Sequence, residues 1–446
     1  MFGHTRFTFQ SLEELQDTIS ALNLQIPVKK DISNLLEPIT LFDKKLPNRL
    51  VVHPMEGFDA NLDGSPGKLA FRRYQRFAEG GSGIIWFEAT SVMSEARSNP
   101  RQLWLNEKTL PAFKALVENT RDSAIPKFGN SHQLLLILQI THSGRYSHPG
   151  KKRIPLGAAA NPYLDSKDIE IKVLSDNELD KIQLHFLETT RLAKQAGFDG
   201  VDIKASHGYL INDLLGAFTR YDSRFGGSYD NRTRFLRDTI KLIRQNLMNF
   251  LIAVRLSLYD GIPFPYGFGV SKEDPCLPQF DEPLRLINSL LDSGCQLFNP
   301  SMGIPYRNPE YVRPFDRGLA GSKPPAEHPL YGVSRLIQGT ALAQKKFPQV
   351  PFVGAGYSWL RHFWPYIGAG VLDQGHATFI GLGRSSFAYP DAPQDLLEKG
   401  VLSQKKVCIT CSQCTELMRS GGRTGCVVRD KKIYSAEYKR IKKRGW

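Results

Sequence analysis

The chain has 446 residues, 41% of them hydrophobic and 23% charged, with a formal net charge of +14. This is a globular composition at a length that buries a large core, which excludes a disordered or fibrous protein. No apolar run reaches the ~18–20 residues of a membrane span and Met1–Gln10 does not read as a signal peptide, so the expected compartment is cytoplasmic, with reduced cysteines.

In chain order, Ser11–Leu22 reads as a short helix, with Ser11 and Glu14 spaced as a capping box. From Arg49 onward, short apolar runs alternate with amphipathic stretches. The predicted strands are Leu50–His53, Gly83–Glu88, Leu134–Gln139, Gly200–Ile203, Leu251–Leu256, Gln296–Asn299, Pro351–Gly354 and Ala377–Gly381. Each is short and apolar and ends in Gly, Pro or polar residues, as a strand buried on both faces should. Between them the pattern predicts helices over Gly67–Gly80, Leu110–Ser123, Asp176–Ala196, Arg232–Asn246, Glu282–Ser293, Val333–Lys346 and Ser358–Ile367, with a last one at Asp391–Lys399.

Eight strands with helical crossovers predict an α/β fold, a (β/α)8 TIM barrel over residues 37–400. A helical N-terminal extension (1–36) precedes it and a Cys-rich segment with a basic tail (401–446) follows. The structural competitor is a doubly wound sheet. Its first strand would lead into a glycine-rich phosphate turn, and "HPMEG" at His53–Gly57 is not one. In a barrel, functional residues lie at the C-terminal strand ends. The polar residues there are Glu56, Gln139, His142, Lys204, His207, Tyr209, Arg255, Asn299 and Arg384.

Several strand ends together resemble the old yellow enzyme family of FMN-dependent oxidoreductases, in the branch of 2,4-dienoyl-CoA reductase and trimethylamine dehydrogenase. The resemblance is carried by "PNRLVVHPMEG" (Pro47–Gly57), "FRRYQRFAEGGSGIIWFEAT" (Phe71–Thr90), "LQITHSGR" (Leu138–Arg145), "AGFDGVDIKASHGYLINDLL" (Ala196–Leu215), "RYDSRFGGSYDNRTRF" (Arg220–Phe235), "VRLS" (Val254–Ser257), "FVGAGYS" (Phe352–Ser358) and "IGLGR" (Ile380–Arg384). It implies FMN at the barrel mouth. Pro54, Met55, Glu56 and Ala89 would line the flavin's pyrimidine side and N5, with Gln139 at N3 and O2 and Arg255 near N1 and O2. The phosphate would lie on the turns at Gly354, Ala355, Gly356 and Gly383, Arg384. A fixed guanidinium suits the charge on reduced flavin, because arginine does not deprotonate. The resemblance further implies an ene-reductase that passes hydride from flavin N5 to an activated C=C, with Tyr209 as proton donor.

Two positions depart from the pattern. Relatives carry a His-x-x-His or His-x-x-Asn pair that grips a carbonyl or nitro oxygen; here Lys204 is the first member and His207 the second. Lys204 either holds an anionic group or enolate oxygen, or pairs structurally with Asp202. Glu56 stands where relatives place a small residue, and its carboxylate would oppose negative charge on reduced flavin.

Four of the six cysteines form C-x2-C-x2-C-x11-C: Cys408, Cys411, Cys414 and Cys426. Thiolates at that spacing wrap a compact metal centre, and spacing alone does not separate an iron–sulfur cluster from zinc or an unoccupied remnant. The resemblance implies a 4Fe-4S cluster near the flavin. The relatives' dinucleotide-binding domains have no counterpart in the short segment after Cys426, so electrons are expected from a separate protein through the cluster. The alternative is NAD(P)H acting directly, with the cysteines structural. A zinc-clipped binding protein is a third reading. Cys276 and Cys295 fit no cluster spacing.

The tail Lys431–Trp446 holds seven Lys or Arg against Glu437, a net +6, and reads as a solvated segment; no nucleic-acid module accompanies it. Lys151, Lys152 and Arg153 in a loop expected over the site, with Lys204, point to a small anionic enoyl or enone substrate. The resemblance also admits a homo-oligomer.

Overall fold

Eight parallel strands occupy the predicted positions in a computed structural model that describes residues 3–443. They are β1 (Leu50–Val52), β2 (Ile84–Ser91), β3 (Leu135–Thr141), β4 (Gly200–Ala205), β5 (Leu251–Tyr259), β6 (Leu297–Phe298), β7 (Val353–Gly354) and β8 (Phe379–Leu382). Hydrogen bonds join them in the order β6–β5–β4–β3–β2–β1–β8–β7, and a parallel bridge between Phe298 and Phe352 links the two ends. The sheet is thus a nearly closed barrel in which every strand lies beside its sequence neighbour.

The two mouths differ. An antiparallel hairpin, Ile39–Leu41 with Lys44–Leu46, buries Leu41 and Leu46 against the first residues of the strands, including Val51, Ile84, Leu135, Leu251 and Phe379. That end is an apolar plug. The polar residues are left to the C-terminal end, where strand carbonyls and N–H groups run out of ladder partners.

The predicted helices are present with shifted ends: Lys68–Glu79, Leu110–Phe128, Asp176–Gln195, Tyr229–Asn246, Asp281–Asp292, Pro329–Lys346 and Ala392–Lys399. The stretch expected as one helix at Ser358–Ile367 is instead a 3-10 segment, Tyr357–Phe363, and a helix, Trp364–Asp373. Arg361 breaks it with φ of 51° and ψ of −122°. The N-terminal helix, Leu12–Ala21, has half of its expected capping box. Ser11 Oγ accepts from Glu14 N–H, but the Glu14 carboxylate accepts from Gln10 N–H rather than from Ser11. Among the described residues no helix is long and apolar enough to cross a membrane.

The basic tail corrects its expectation. Lys431–Lys443 is a helix that buries Tyr434 and Ile441 against Leu417 and Val427, so its lysines are one face of a packed element. Met1, Phe2 and the tail residues Arg444–Trp446 lie outside the described residues. A second helix, Gln413–Arg419, carries Cys414. The whole segment is tied to the barrel by arginines of Lys68–Glu79. Asp430 accepts from Arg72 Nη1 at 2.6 Å and from Arg76 Nη1 at 2.9 Å. Arg73 is buried between Asp59 and Glu88 and donates onward to the Thr424 carbonyl at 3.3 Å. Thr424 N–H in turn donates to the Gly57 carbonyl at 2.6 Å, directly beside the end of β1.

Asp430→Ala removes three charge-assisted bonds from two arginines and is expected to destabilise the docking of this segment by about 1–3 kcal/mol. Trypsin should then cleave within Lys431–Lys443 faster than in the wild type; an unchanged cleavage rate would show that these pairs do not hold the segment.

Candidate active site

The C-terminal strand ends converge on a cavity of about 180 Å³. Its lining includes Pro54, Met55 and Glu56 after β1, Gln139 on β3, and Lys204, His207 and Tyr209 on and after β4. Arg384 after β8 and Cys414 of the Cys-rich segment also border it. The cavity therefore brings together nine of the eighteen expected site residues. Ala89 and Arg255 are buried at the same mouth without bordering the cavity.

Asp202 organises the floor. On β4 it shares a face with Lys204, two residues on. Its Oδ2 accepts from Gln139 Nε2 at 2.6 Å and Trp86 Nε1 at 2.9 Å, and its Oδ1 from Arg255 N–H at 2.5 Å. Burial pushes its carboxyl up to about 6. With three donors in place, Asp202 is not the partner of Lys204, which corrects the structural pairing considered from sequence. Lys204 Nζ turns to Glu56 Oε1, 3.4 Å away, and lies 3.5 Å from the centre of the Tyr209 ring. Tyr209 Oη donates to the same Glu56 Oε1 at 2.9 Å, and Ser98 Oγ donates to Oε2 at 3.2 Å. The two departures from the family pattern thus form one unit.

Burial pulls the Lys204 ammonium below its ordinary range, against the pull of Glu56. Burial, reinforced by Glu56, holds the Tyr209 phenol well above the usual range, so it is protonated at neutral pH. His207 has a left-handed backbone at φ 68°, and its Nε2 lies 2.8 Å from Ser301 Oγ. Burial and then the Arg255 charge keep its ring neutral. Arg255 Nη1 reaches Asn299 Oδ1 at 3.1 Å and His53 Nδ1 at 3.2 Å, while its Nε is buried without a partner. Gln139 keeps its carbonyl and one amide hydrogen for a ligand.

The two turns expected to hold a phosphate are adjacent across β7 and β8. Gly356 sits at φ 101°, a conformation that favours glycine, and a Cβ on Gly383 would meet only Met55 Sδ, at 3.6 Å. Arg384 Nη2 donates to the Pro314 carbonyl, and its Nη1 is buried and unpartnered. Sequence reasoning missed Arg313, which lines the same cavity with an unpartnered buried Nη1 and is pulled to about 9 by burial and the neighbouring Arg384. It lies in the long loop after β6, where no periodicity marks it. Tyr306, on the same loop, was missed for the same reason, and Arg419, the last residue of the helix Gln413–Arg419, because no helix was expected in the Cys-rich segment.

Two further cavities adjoin the site. One of about 740 Å³ shares Tyr306, Met418 and Arg419 with it and is lined by Arg101, Arg153, Arg440 and His148, with no Asp or Glu. The other, about 20 Å³, is bordered by all four clustered cysteines together with Arg384 and Phe387. Among the described residues no three His, Cys, Asp or Glu are grouped to hold a single metal ion. Cys276 is exposed and Cys295 buried, both apart from the cluster segment.

Residues 34–264 match the NADH:flavin oxidoreductase / NADH oxidase family. The chain is 30% identical to the NADPH dehydrogenase of Clostridium acetobutylicum over 47% of its own length and 60% of that protein. It is 26% identical to the NADH oxidase of Thermoanaerobacter brockii over 82% of its length and 50% of that protein. Its fold is similar to that of a 2-naphthoyl-CoA reductase in complex with 2-naphthoyl-CoA, at a TM-score of 0.72 and 20% identity, over 92% of this chain and 58% of that one. The chain thus spans between half and 60% of these proteins.

Burial depresses the imidazoles of His53, His142 and His207, His142 to about 3. Between that value and the ordinary 6.5 the unfolded chain binds more protons, so this stability is complete above about pH 6.5 and is lost as pH falls. Asp202, raised by burial, works in the opposite direction. Comparing wild type with His142→Gln isolates one group. Their stability difference is expected to shift by about 1 kcal/mol per unit between pH 6.5 and 5 in urea unfolding, with the wild type losing more. Parallel curves would mean that His142 titrates normally.

Proposed function

Because the chain belongs to the NADH:flavin oxidoreductase / NADH oxidase family, we propose that it is an FMN-dependent enzyme that reduces the activated C=C of a small anionic substrate. The observation that carries this reading is the cavity in which Tyr209, Lys204 and Glu56 touch one another beside buried, unpartnered arginine nitrogens. The donor set suits a flavin: Arg255 Nε and the Gln139 amide for the pyrimidine, and Gly354–Gly356, Gly383, Arg384 and Arg313 for the phosphate. At about 180 Å³ the cavity is below the ~300–1,000 Å³ common for ligand pockets, so the Arg313 and Arg384 side chains would have to give way. When bound, FMN supplies hydride chemistry at one face of the alkene.

The chain's own residues supply the rest. Tyr209 keeps its proton at neutral pH and delivers it only as carbanion character develops. Lys204, over the Tyr209 ring, favours the negative charge that remains, while Glu56 opposes it. His207, neutral and held at Ser301, offers a hydrogen bond to a substrate oxygen. The wide adjoining cavity with its four arginines supports an anionic substrate.

The barrel (37–400) and the Cys-rich segment (401–446) would work as one unit. Four thiols bordering one small cavity support a 4Fe-4S cluster. Burial raises Cys408 to about 12 and Cys426 to about 11, so a metal centre is what would hold them as thiolates. Cys414 borders both this cavity and the active one, which supports a relay for single electrons from a partner protein. NAD(P)H as the direct reductant is the second reading, favoured by the dehydrogenase and oxidase relatives.

Tyr209→Phe is expected to slow reduction of 2-cyclohexenone by about 10²-fold while flavin reduction by dithionite stays within about twofold. Equal losses in both half-reactions would remove Tyr209 as the proton donor. Lys204→Met should retain flavin and lose enone turnover; unchanged turnover would remove Lys204 from the mechanism.

A further inference from the structure

We propose that Lys204 is a nucleophile that joins a carbonyl-bearing substrate as a Schiff base. Among the described residues it is the one lysine that the fold buries, and its amine borders the active cavity. An exposed lysine is a hydrated cation, but a buried one gives up its proton readily. Burial carries this against the pull of the Glu56 carboxylate. Arg255, fixed and buried, opposes a second cation, and Asp202 already has three hydrogen-bond donors. Arg313 and Arg384 border the same cavity, and His207 on the adjoining turn is neutral.

The second requirement is an acid–base group within reach. Glu56 Oε1 is 3.4 Å from Lys204 Nζ, and the carboxylate is itself fixed by Tyr209 Oη at 2.9 Å and Ser98 Oγ at 3.2 Å. A nucleophile, a base at contact distance and a third group that orients the base is the arrangement that covalent catalysis needs. One proton shift across the contact turns ammonium and carboxylate into amine and carboxylic acid with no change in net charge.

The chemistry balances with these groups alone. The Lys204 nitrogen pair bonds to the carbonyl carbon, the C–O π pair moves to oxygen, and that oxygen takes the proton from Glu56. The nitrogen then returns a proton to the Glu56 carboxylate. In the second step Glu56 protonates the hydroxyl, the C–O bond breaks, water leaves, and the nitrogen pair forms C=N. Amine, carbonyl compound and one proton become iminium and water. A conjugated iminium draws electrons from its C=C more strongly than a hydrogen-bonded carbonyl does. The inference takes the cavity as the substrate site, but the capture step itself needs no flavin.

The test uses the full chain with hexanal, which has no C=C, and sodium cyanoborohydride. Intact mass and peptide mapping should find one reduced adduct at Lys204, absent in Lys204→Arg and formed at least about tenfold more slowly in Glu56→Gln. Labelling confined to exposed lysines in the wild type would overturn the proposal, as would equal labelling of Lys204→Arg. Mapping the wild type keeps the test valid even if a variant fails to fold. Flavin binding and enone reduction without an adduct would overturn only the Schiff base; an adduct on a chain that binds no flavin would overturn only the flavin reading.

Discussion

A carboxylate at the inner end of a buried barrel needs partners, and at Glu56 this need shapes the site. Its side chain is 10% exposed and takes Lys204, Tyr209 and Ser98 at once. A buried ion pair is held by its hydrogen bonds as much as by its charge, and removing one partner leaves the other uncompensated. Lys204 and Glu56 are therefore one substitution in physical terms. The negative charge expected to oppose a reduced flavin meets its counter-charge 3.4 Å away. The cation expected to hold a substrate oxygen is also the one that steadies Glu56.

The same logic of paired burial fastens the Cys-rich segment. Arg73 is buried between Asp59 and Glu88 and reaches the Thr424 backbone. Burial raises Glu88 to about 7 despite the arginine beside it, so desolvation outweighs attraction here. The Gly57 N–H donates to Glu88 at 2.6 Å, and the Gly57 carbonyl accepts from Thr424. The residue after Glu56 thus links the active rim to the segment that carries the cysteines.

The barrel was legible because each strand is a short apolar run between amphipathic stretches, and all eight runs became strands. The rim was legible because polar residues follow those runs. Less legible was everything that depends on contacts between distant loops. Lys204 could not be assigned to Glu56 rather than Asp202 from sequence, since 148 positions separate the pair and only two separate the alternative. Arg313, Tyr306 and Arg419 sit where no repeat or turn signal distinguishes them. The tail read as solvated because its charge hides a narrow apolar stripe, Tyr434 and Ile441, which needed Leu417 and Val427 to become a helix face. The kink at Arg361 does have a sequence signal: Pro365, four residues on, has no N–H for the Arg361 carbonyl, and a new helix starts at Trp364.

The central claim is that this rim holds a flavin with an iron–sulfur cluster beside it. Flavin, iron and acid-labile sulfide should be assayed on wild-type protein purified without oxygen. The account predicts one FMN per chain together with about four iron and four sulfide, as a 4Fe-4S centre requires. Protein that is colourless after purification, and that takes up no flavin on addition of FMN, would contradict it.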